Sequence, residues 1–203
     1  MKRIILTILF FLLVNTVSVY AQSTAYTVQP GDSMWKIAVR YEIGLSELAQ
    51  ANPQVKNIAL IYPGQKIAIP NIDSIKGLET EVVRLVNVER SKRGLHLLKQ
   101  NWELSRVARY KSQDMINKGY FGHESPTYGS PFKMMESFGI KCSAAAENIA
   151  CGQKAPQEVM SSWMNSTGHR NNILGPSFLE IGVGAAKDSQ GNIYWTQMFI
   201  KPL

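Results

Sequence analysis

His96, His123 and His169 are the only imidazoles in the 203-residue sequence, so histidine chemistry has few places to occur. His123 and His169 lie 24 and 22 residues to either side of Glu147, a spacing that carries no geometry by itself. Two imidazoles and a carboxylate suit a divalent metal such as zinc, with one position left for water or a ligand. The same trio suits acid/base catalysis, and it equally suits a hydrogen-bonded polar cleft that orders the fold without chemistry. His96 follows Gly94 and Leu95 and reads as a surface residue.

Other chemistries fail on the residues. His123-Glu124-Ser125-Pro126-Thr127 starts like a zinc-protease HExxH but ends in threonine and carries a helix-breaking proline. No G-x-S-x-G elbow is present, and Ser125, two residues after His123, has no built-in Ser-His geometry. Gly182-x-Gly184 lacks the rest of a dinucleotide fingerprint and reads as strand glycine. With only Cys142 and Cys151, a disulfide-dense scaffold and a four-thiolate zinc site are excluded. In an exported chain the two are expected to form one intrachain disulfide worth about 2–3 kcal/mol; two free thiols are the alternative.

Export is what the N-terminus predicts. Lys2-Arg3 precedes an apolar run over residues 4–14 and small residues before Ala21, the pattern of a secretory signal peptide over residues 1–21. Asn15, Thr16 and Ser18 come too early for a membrane span of about 20 apolar residues, and no later stretch approaches one. The net charge of +7 falls with loss of Lys2 and Arg3 but stays positive, which suits an anionic wall. No aromatic-basic motif points to nucleic acid.

The elements that must position these residues fall into two blocks. Residues 22–72 read as strand, helix, helix, strand, with Pro30-Gly31-Asp32-Ser33 as a capping turn. Trp35, Ile37, Ala38 and Tyr41 are taken as the buried helical face, and Tyr62 is equally suited to core or surface. Residues 73–77 show no hydrophobic period and are expected to be a linker. From residue 78 onward, helical patterns around Leu78, Val82 and Val86, around Leu104, Val107 and Ala108, over residues 131–138 and after Pro156 interleave with strand-like runs at 148–150, 179–186 and 193–200. Asp188-Ser189-Gln190-Gly191-Asn192 is the turn of a final antiparallel hairpin. The fold class is α+β: a small βααβ module, then an α-β-α sandwich.

Tyr26-Thr27-Val28-x-Pro30-Gly31-Asp32-Ser33-x-Trp35-x-Ile37-Ala38, Asn52-Pro53 and Pro63-Gly64-Gln65-x-Ile67-x-Ile69-Pro70 together resemble a LysM domain. The resemblance implies binding of peptidoglycan or chitin through two loops, here Gly31, Asp32, Ser33 and Met34 with Ile58, Leu60, Ile61 and Tyr62.

Leu85-Val86-Asn87-x-Glu89-Arg90, Phe121-Gly122-His123-x-Ser125-Pro126, Glu147-Asn148-Ile149-Ala150, Trp163-x-x-Ser166-x-Gly168-His169-Arg170-x-Asn172-Ile173-Leu174, Ile181-Gly182-Val183-Gly184 and Tyr194-Trp195-Thr196-Gln197 occur in that order over residues 78–203. This set resembles the CAP superfamily in its bacterial SCP-like branch, and the resemblance implies that His123, Glu147 and His169 converge in one cleft. Ala146 stands where the family usually has glycine, and Tyr194 replaces a histidine of eukaryotic members, so a four-residue His/Glu cleft does not carry over whole. The expected function is an exported, cell-wall or spore-envelope protein that binds glycan through LysM, with a CAP domain of binding or interaction role. No cofactor is required, though zinc could bind His123 and His169. The alternative is a wall-acting or peptide-cleaving hydrolase that uses the cleft.

Overall fold

Strand β1 (Thr24–Thr27) pairs antiparallel with β2 (Lys66–Ile69), with Thr24 opposite Ile69. These come from a computed structural model that describes residues 23–203; the leader expected over residues 1–21 lies outside them. Helix α1 (Met34–Arg40) starts where Ser33 Oγ accepts the Lys36 N–H at 3.2 Å, the expected cap. Helix α2 (Leu45–Gln50) completes the module. Buried Asn52 cements it: its Nδ2 donates to the carbonyls of Leu48 (2.7 Å) and Ala68 (2.8 Å), and its Oδ1 accepts Ala68 N–H (2.7 Å).

The face that α1 buries differs from the expected one. Met34, Ile37 and Ala38, at helical spacings of three and four, enter the core, whereas Trp35 is 55% exposed. Residues next to one another on a helix point about 100° apart, so burying Met34 turns Trp35 outward. Met34, expected in the glycan loops, is therefore a core residue.

The expected linker is helical. Helix α3 (Asp73–Ser91) runs unbroken through residues 73–77, because Ile75 and Leu78 continue the stripe of Val82 and Val86 onto the second core. Asn71 Oδ1 accepts the Asp73 N–H at 2.8 Å where the chain enters the helix. Lys76, in the first turns of α3, donates back to the Tyr41 carbonyl at 3.0 Å.

The second unit is a three-layer sandwich around a four-stranded sheet: β3 (Lys99–Gln100), β5 (Glu180–Lys187), β6 (Ile193–Pro202) and β4 (Cys142–Cys151), in that spatial order. β3 runs parallel to β5, and the other pairings are antiparallel. Helix α4 (Trp102–Lys118), N-capped by Asn101, and α5 (Pro131–Ser137) cover one face around Leu104, Val107, Met134, Met198 and Ile200. Helix α3 and α6 (Pro156–Asn165) cover the other around Val82, Val86, Val159, Trp163 and Trp195. A short helix, α7 (Thr167–Ile173), lies against edge strand β4. The sheet edges are covered by side chains rather than by further strands: Ser105 Oγ and Glu79 Oε1 accept the N–H groups of Val183 (3.2 Å) and Ala185 (3.0 Å) on β5, and Trp163 Nε1 donates to Ile149 O (3.2 Å) on β4.

The expected Cys142–Cys151 disulfide is incompatible with this sheet. Both cysteines are free and sit at opposite ends of β4. At about 3.3 Å per residue their Cα atoms lie about 30 Å apart, against less than about 7 Å for a bridge. The residues between them, Ser143 to Ala150, belong to the extended strand that holds the two thiols apart.

Candidate functional site

His123 belongs to the loop between α4 and α5, and α4 holds that loop in place. Asp114 of α4 accepts hydrogen bonds from Tyr120 Oη (2.7 Å), Ser125 Oγ (2.7 Å) and Thr127 Oγ1 (2.6 Å). Burial opposes the charge on Asp114, but these three donors outweigh it and keep the carboxyl below its usual value. Lys111, fully buried one turn earlier, donates from Nζ to the His123 carbonyl at 2.7 Å and to Tyr120 Oη at 3.1 Å. Ser125 and Gly129 close the loop with reciprocal backbone hydrogen bonds of 2.8 Å. Ser125 Oγ is occupied with Asp114 and is no nucleophile.

The loop delivers His123 to Glu147 of β4. His123 Nδ1 donates to Glu147 Oε1 at 2.7 Å, which leaves Nε2 facing outward. The imidazole is 53% exposed while the Glu147 side chain is 2% exposed, and Glu147 Oε2 is buried without a partner. The hydrogen bond to Glu147 raises the His123 pKa above its ordinary value; burial raises the Glu147 carboxyl, against the pull of His123 and Lys111.

His169 approaches from the other side of edge strand β4. Asn148, fully buried, donates from Nδ2 to the His169 carbonyl and to Gln197 Oε1, both at 3.1 Å, and accepts from Asn172 Nδ2 at 2.8 Å. This amide network seats α7 on β4. Burial lowers the His169 pKa, and the charge of His123 lowers it further. Tyr194 is set apart. It pairs with Cys151, four residues along β4 from Glu147, or about 13 Å. Its ring meets Phe121 edge-on, with centroids 6.5 Å apart. His96 is a surface residue, its Nε2 donating to Phe178 O at 2.6 Å.

Glu147 is placed to orient His123 rather than to ligate a metal, since one oxygen is occupied and the other covered. Among the described residues no three His, Cys, Asp or Glu side chains group to hold a metal. A zinc ion, if present, would be held by His123 Nε2 and the His169 imidazole, with Glu147 as the carboxylate behind the first. The opposite shifts give a testable order. In an NMR titration His169 loses its proton below pH ~6.5 and His123 above it. Glu147→Gln removes the carboxylate that favours the imidazolium, so the His123 midpoint falls while His169 moves little. Coincident midpoints in both proteins would contradict the geometry.

The LysM loops adjoin at their bases, where Val28 N–H donates to Gln65 O and Gly64 N–H to Val28 O, both 2.9 Å. Ile58, Leu60 and Tyr62 are 41%, 52% and 60% exposed, whereas Ile61 packs on the module core. Gly31 turns the first loop at φ +83°, and Ser33 is occupied as a cap. Asp32 is tied inward: Tyr26 Oη donates to it at 2.5 Å, and Gln29 N–H and Arg40 also reach it. The hydrogen bond from Tyr26, then that from Gln29, lowers its pKa. The sequence therefore missed Trp35 as a surface residue and Lys111, Asp114 and Asn148 as the groups that position the site. The loop contacts that use Lys111 and Asp114 exist only once the chain has folded.

Comparison with known proteins agrees with this fold. Residues 26–70 match the LysM domain model, and residues 83–199 match the cysteine-rich secretory protein family, CAP. "Uncharacterized protein YkwD" of Bacillus subtilis is 58% identical over 127 residues, 63% of this chain and 48% of that protein. An extracellular SCP-domain protein from Bacillus anthracis superposes with TM-score 0.59 at 31% identity, over 68% of this chain and 47% of that one. In the N-terminal module, "Spore coat assembly protein ExsA" of Bacillus cereus is 44% identical over 46 residues, 23% of this chain and 7% of that protein. The chain thus spans less than half the length of each of these relatives. The protein belongs to the CAP family, with a LysM domain ahead of its CAP domain.

Proposed function

We propose that this protein is exported and bound to the cell wall or spore envelope, where its LysM domain binds peptidoglycan or chitin-like N-acetylglucosamine glycan and its CAP domain has a binding role. The observation that carries this reading is the exposure of Trp35, Ile58, Leu60 and Tyr62 at and around the two adjoining loops. Exposed aromatic and apolar faces suit a sugar ring, whose C–H face stacks on them. Among the described residues no helix is long and apolar enough to cross a membrane. The leader pattern supports export, and the positive chain suits an anionic wall. Zinc, if bound by His123 and His169, would supply a Lewis acid to the cleft.

The test is sedimentation of the full chain with purified peptidoglycan and with chitin. Trp35→Ala and Tyr62→Ala are expected to weaken binding about tenfold each, with an unchanged circular dichroism spectrum, since both residues are exposed. Undiminished binding by the double variant would refute the assignment of this surface. The hydrolase reading has its own support in the His123–Glu147 hydrogen bond, which orients Nε2 as a base. Release of soluble fragments from the same peptidoglycan, lost in His123→Ala, would favour it over binding alone.

A further inference from the structure

We propose that the CAP cleft is a second saccharide site, with the Phe121 ring as its stacking platform and His123 and Tyr194 as its polar partners; this rests on the reading of LysM as a glycan-binding domain. Phe121 is 56% exposed, and it is not on a loose segment. It lies two residues before His123, on the loop that Asp114 and Lys111 hold through the hydrogen bonds described above. Tyr194 meets its ring at an interplanar angle of 65°, which fixes the ring's orientation. The loop thus presents an exposed aromatic ring two residues from an imidazole whose Nε2 faces outward.

The row below is continuous. Glu147, Ile149 and Cys151 of β4 pair with Met198, Thr196 and Tyr194 of β6, and alternate residues of a strand share one face. Phe121 and His123 both contact this row, at Tyr194 and at Glu147. His123, with its side chain 53% exposed and its Nδ1 held by Glu147, offers Nε2 as the polar group next to that ring. A ring with an apolar face and a hydroxyl-bearing edge matches this combination. An anionic ligand matches it less well, because Arg170 is turned away to the Met164 carbonyl at 2.8 Å. A glycan polymer that fills both the LysM loops and this cleft would be held more tightly than by either site alone.

The experiment is amide NMR on the full LysM–CAP chain with three probes: an N-acetylglucosamine tetramer, peptide-free peptidoglycan glycan strands, and a free stem-type peptide. The expected result is shifts at residues 121–123 and 193–195, as well as in the LysM loops, with either saccharide. Phe121→Ala should abolish the CAP shifts and weaken strand binding about five- to tenfold, while LysM shifts and melting temperature stay unchanged. Phe121→Trp should restore the binding. Saccharide shifts confined to LysM would overturn the second site and leave the LysM reading standing. Cleft shifts with the peptide alone would overturn the saccharide in favour of a peptide. Shifts nowhere with saccharide would overturn both readings.

Discussion

Replacing Arg109 by methionine should lower the unfolding free energy by about 3–5 kcal/mol, because it leaves a buried carboxylate without its counter-charge. Arg109 of α4 donates from Nε and Nη2 to Glu79 of α3, at 2.8 and 2.9 Å. The pair passes around the open edge of β5, and Glu79 Oε1 also accepts the Ala185 N–H. It therefore staples the two helical layers together where β3 no longer covers the sheet. Burial raises the Glu79 pKa even with Arg109 in place. Lys76 on its own helix pulls it down only weakly, and Glu47 of the LysM domain lies near Arg109. Without Arg109 the Glu79 pKa should rise further. A carboxyl whose folded pKa exceeds its unfolded value of about 4.3 costs stability as pH rises from that value through the folded one. The deficit of Arg109→Met should thus be small near pH 4 and largest above neutrality. Urea unfolding, followed through the buried Trp163 and Trp195, measures it. Pairing the substitution with Glu79→Met should recover part of the loss, since an apolar pair leaves no orphaned charge although the Ala185 N–H loses its acceptor. A pH-independent deficit, or no recovery in the double variant, would show that Arg109 acts through packing alone.

How far the sequence went depends on the range of the interactions involved. Periodicity located the helices that face the sheet, and the Asp188–Asn192 turn forecast the β5–β6 hairpin. Ordered motifs placed His123, Glu147 and His169 near one another, and the fold joins the first two directly. What failed was local ambiguity settled by tertiary contacts. Trp35 and Met34 are adjacent apolar residues, and the packing of Met34 with Ile37 and Ala38 in the module core turns Trp35 outward. Residues 73–77 hold just Ile75 as an apolar anchor, too little to show a period, yet the core beneath it extends the helix. Cys142 and Cys151 are close in sequence, but an extended strand is the conformation that separates them most. Lys111 and Asp114 look like the polar side of an amphipathic helix until the loop at 120–129 folds over them.

Gly184→Ala should destabilise the CAP domain by about 3 kcal/mol and disturb the cleft, although Gly184 touches no site residue. An added Cβ would lie 2.0 Å from the Arg109 backbone nitrogen and 2.2 Å from the Ala108 carbonyl carbon. Those are backbone atoms of α4, so no rotamer relieves the clash and the helix itself must retreat from β5. At Gly182 the obstacle is again α4 backbone, with the Leu104 carbonyl carbon 2.3 Å away. The two glycines are thus the contact surface that lets a helix lie directly on the sheet, which explains a Gly-x-Gly pair with no nucleotide to bind. The same helix carries Lys111 and Asp114, and through them the loop that presents His123. Retreat of α4 should therefore loosen the His123–Glu147 hydrogen bond and bring the His123 titration midpoint back toward that of a free imidazole, while glycan binding by the LysM domain is unaffected. Gly168→Ala is the control: nothing lies within 4 Å of its Cβ position, it sits in α7, and alanine there should leave stability unchanged or improve it by up to about 1 kcal/mol. Equal stability of Gly184→Ala and Gly168→Ala would mean that α4 can shift without cost, and the site would then not depend on how closely helix and sheet approach.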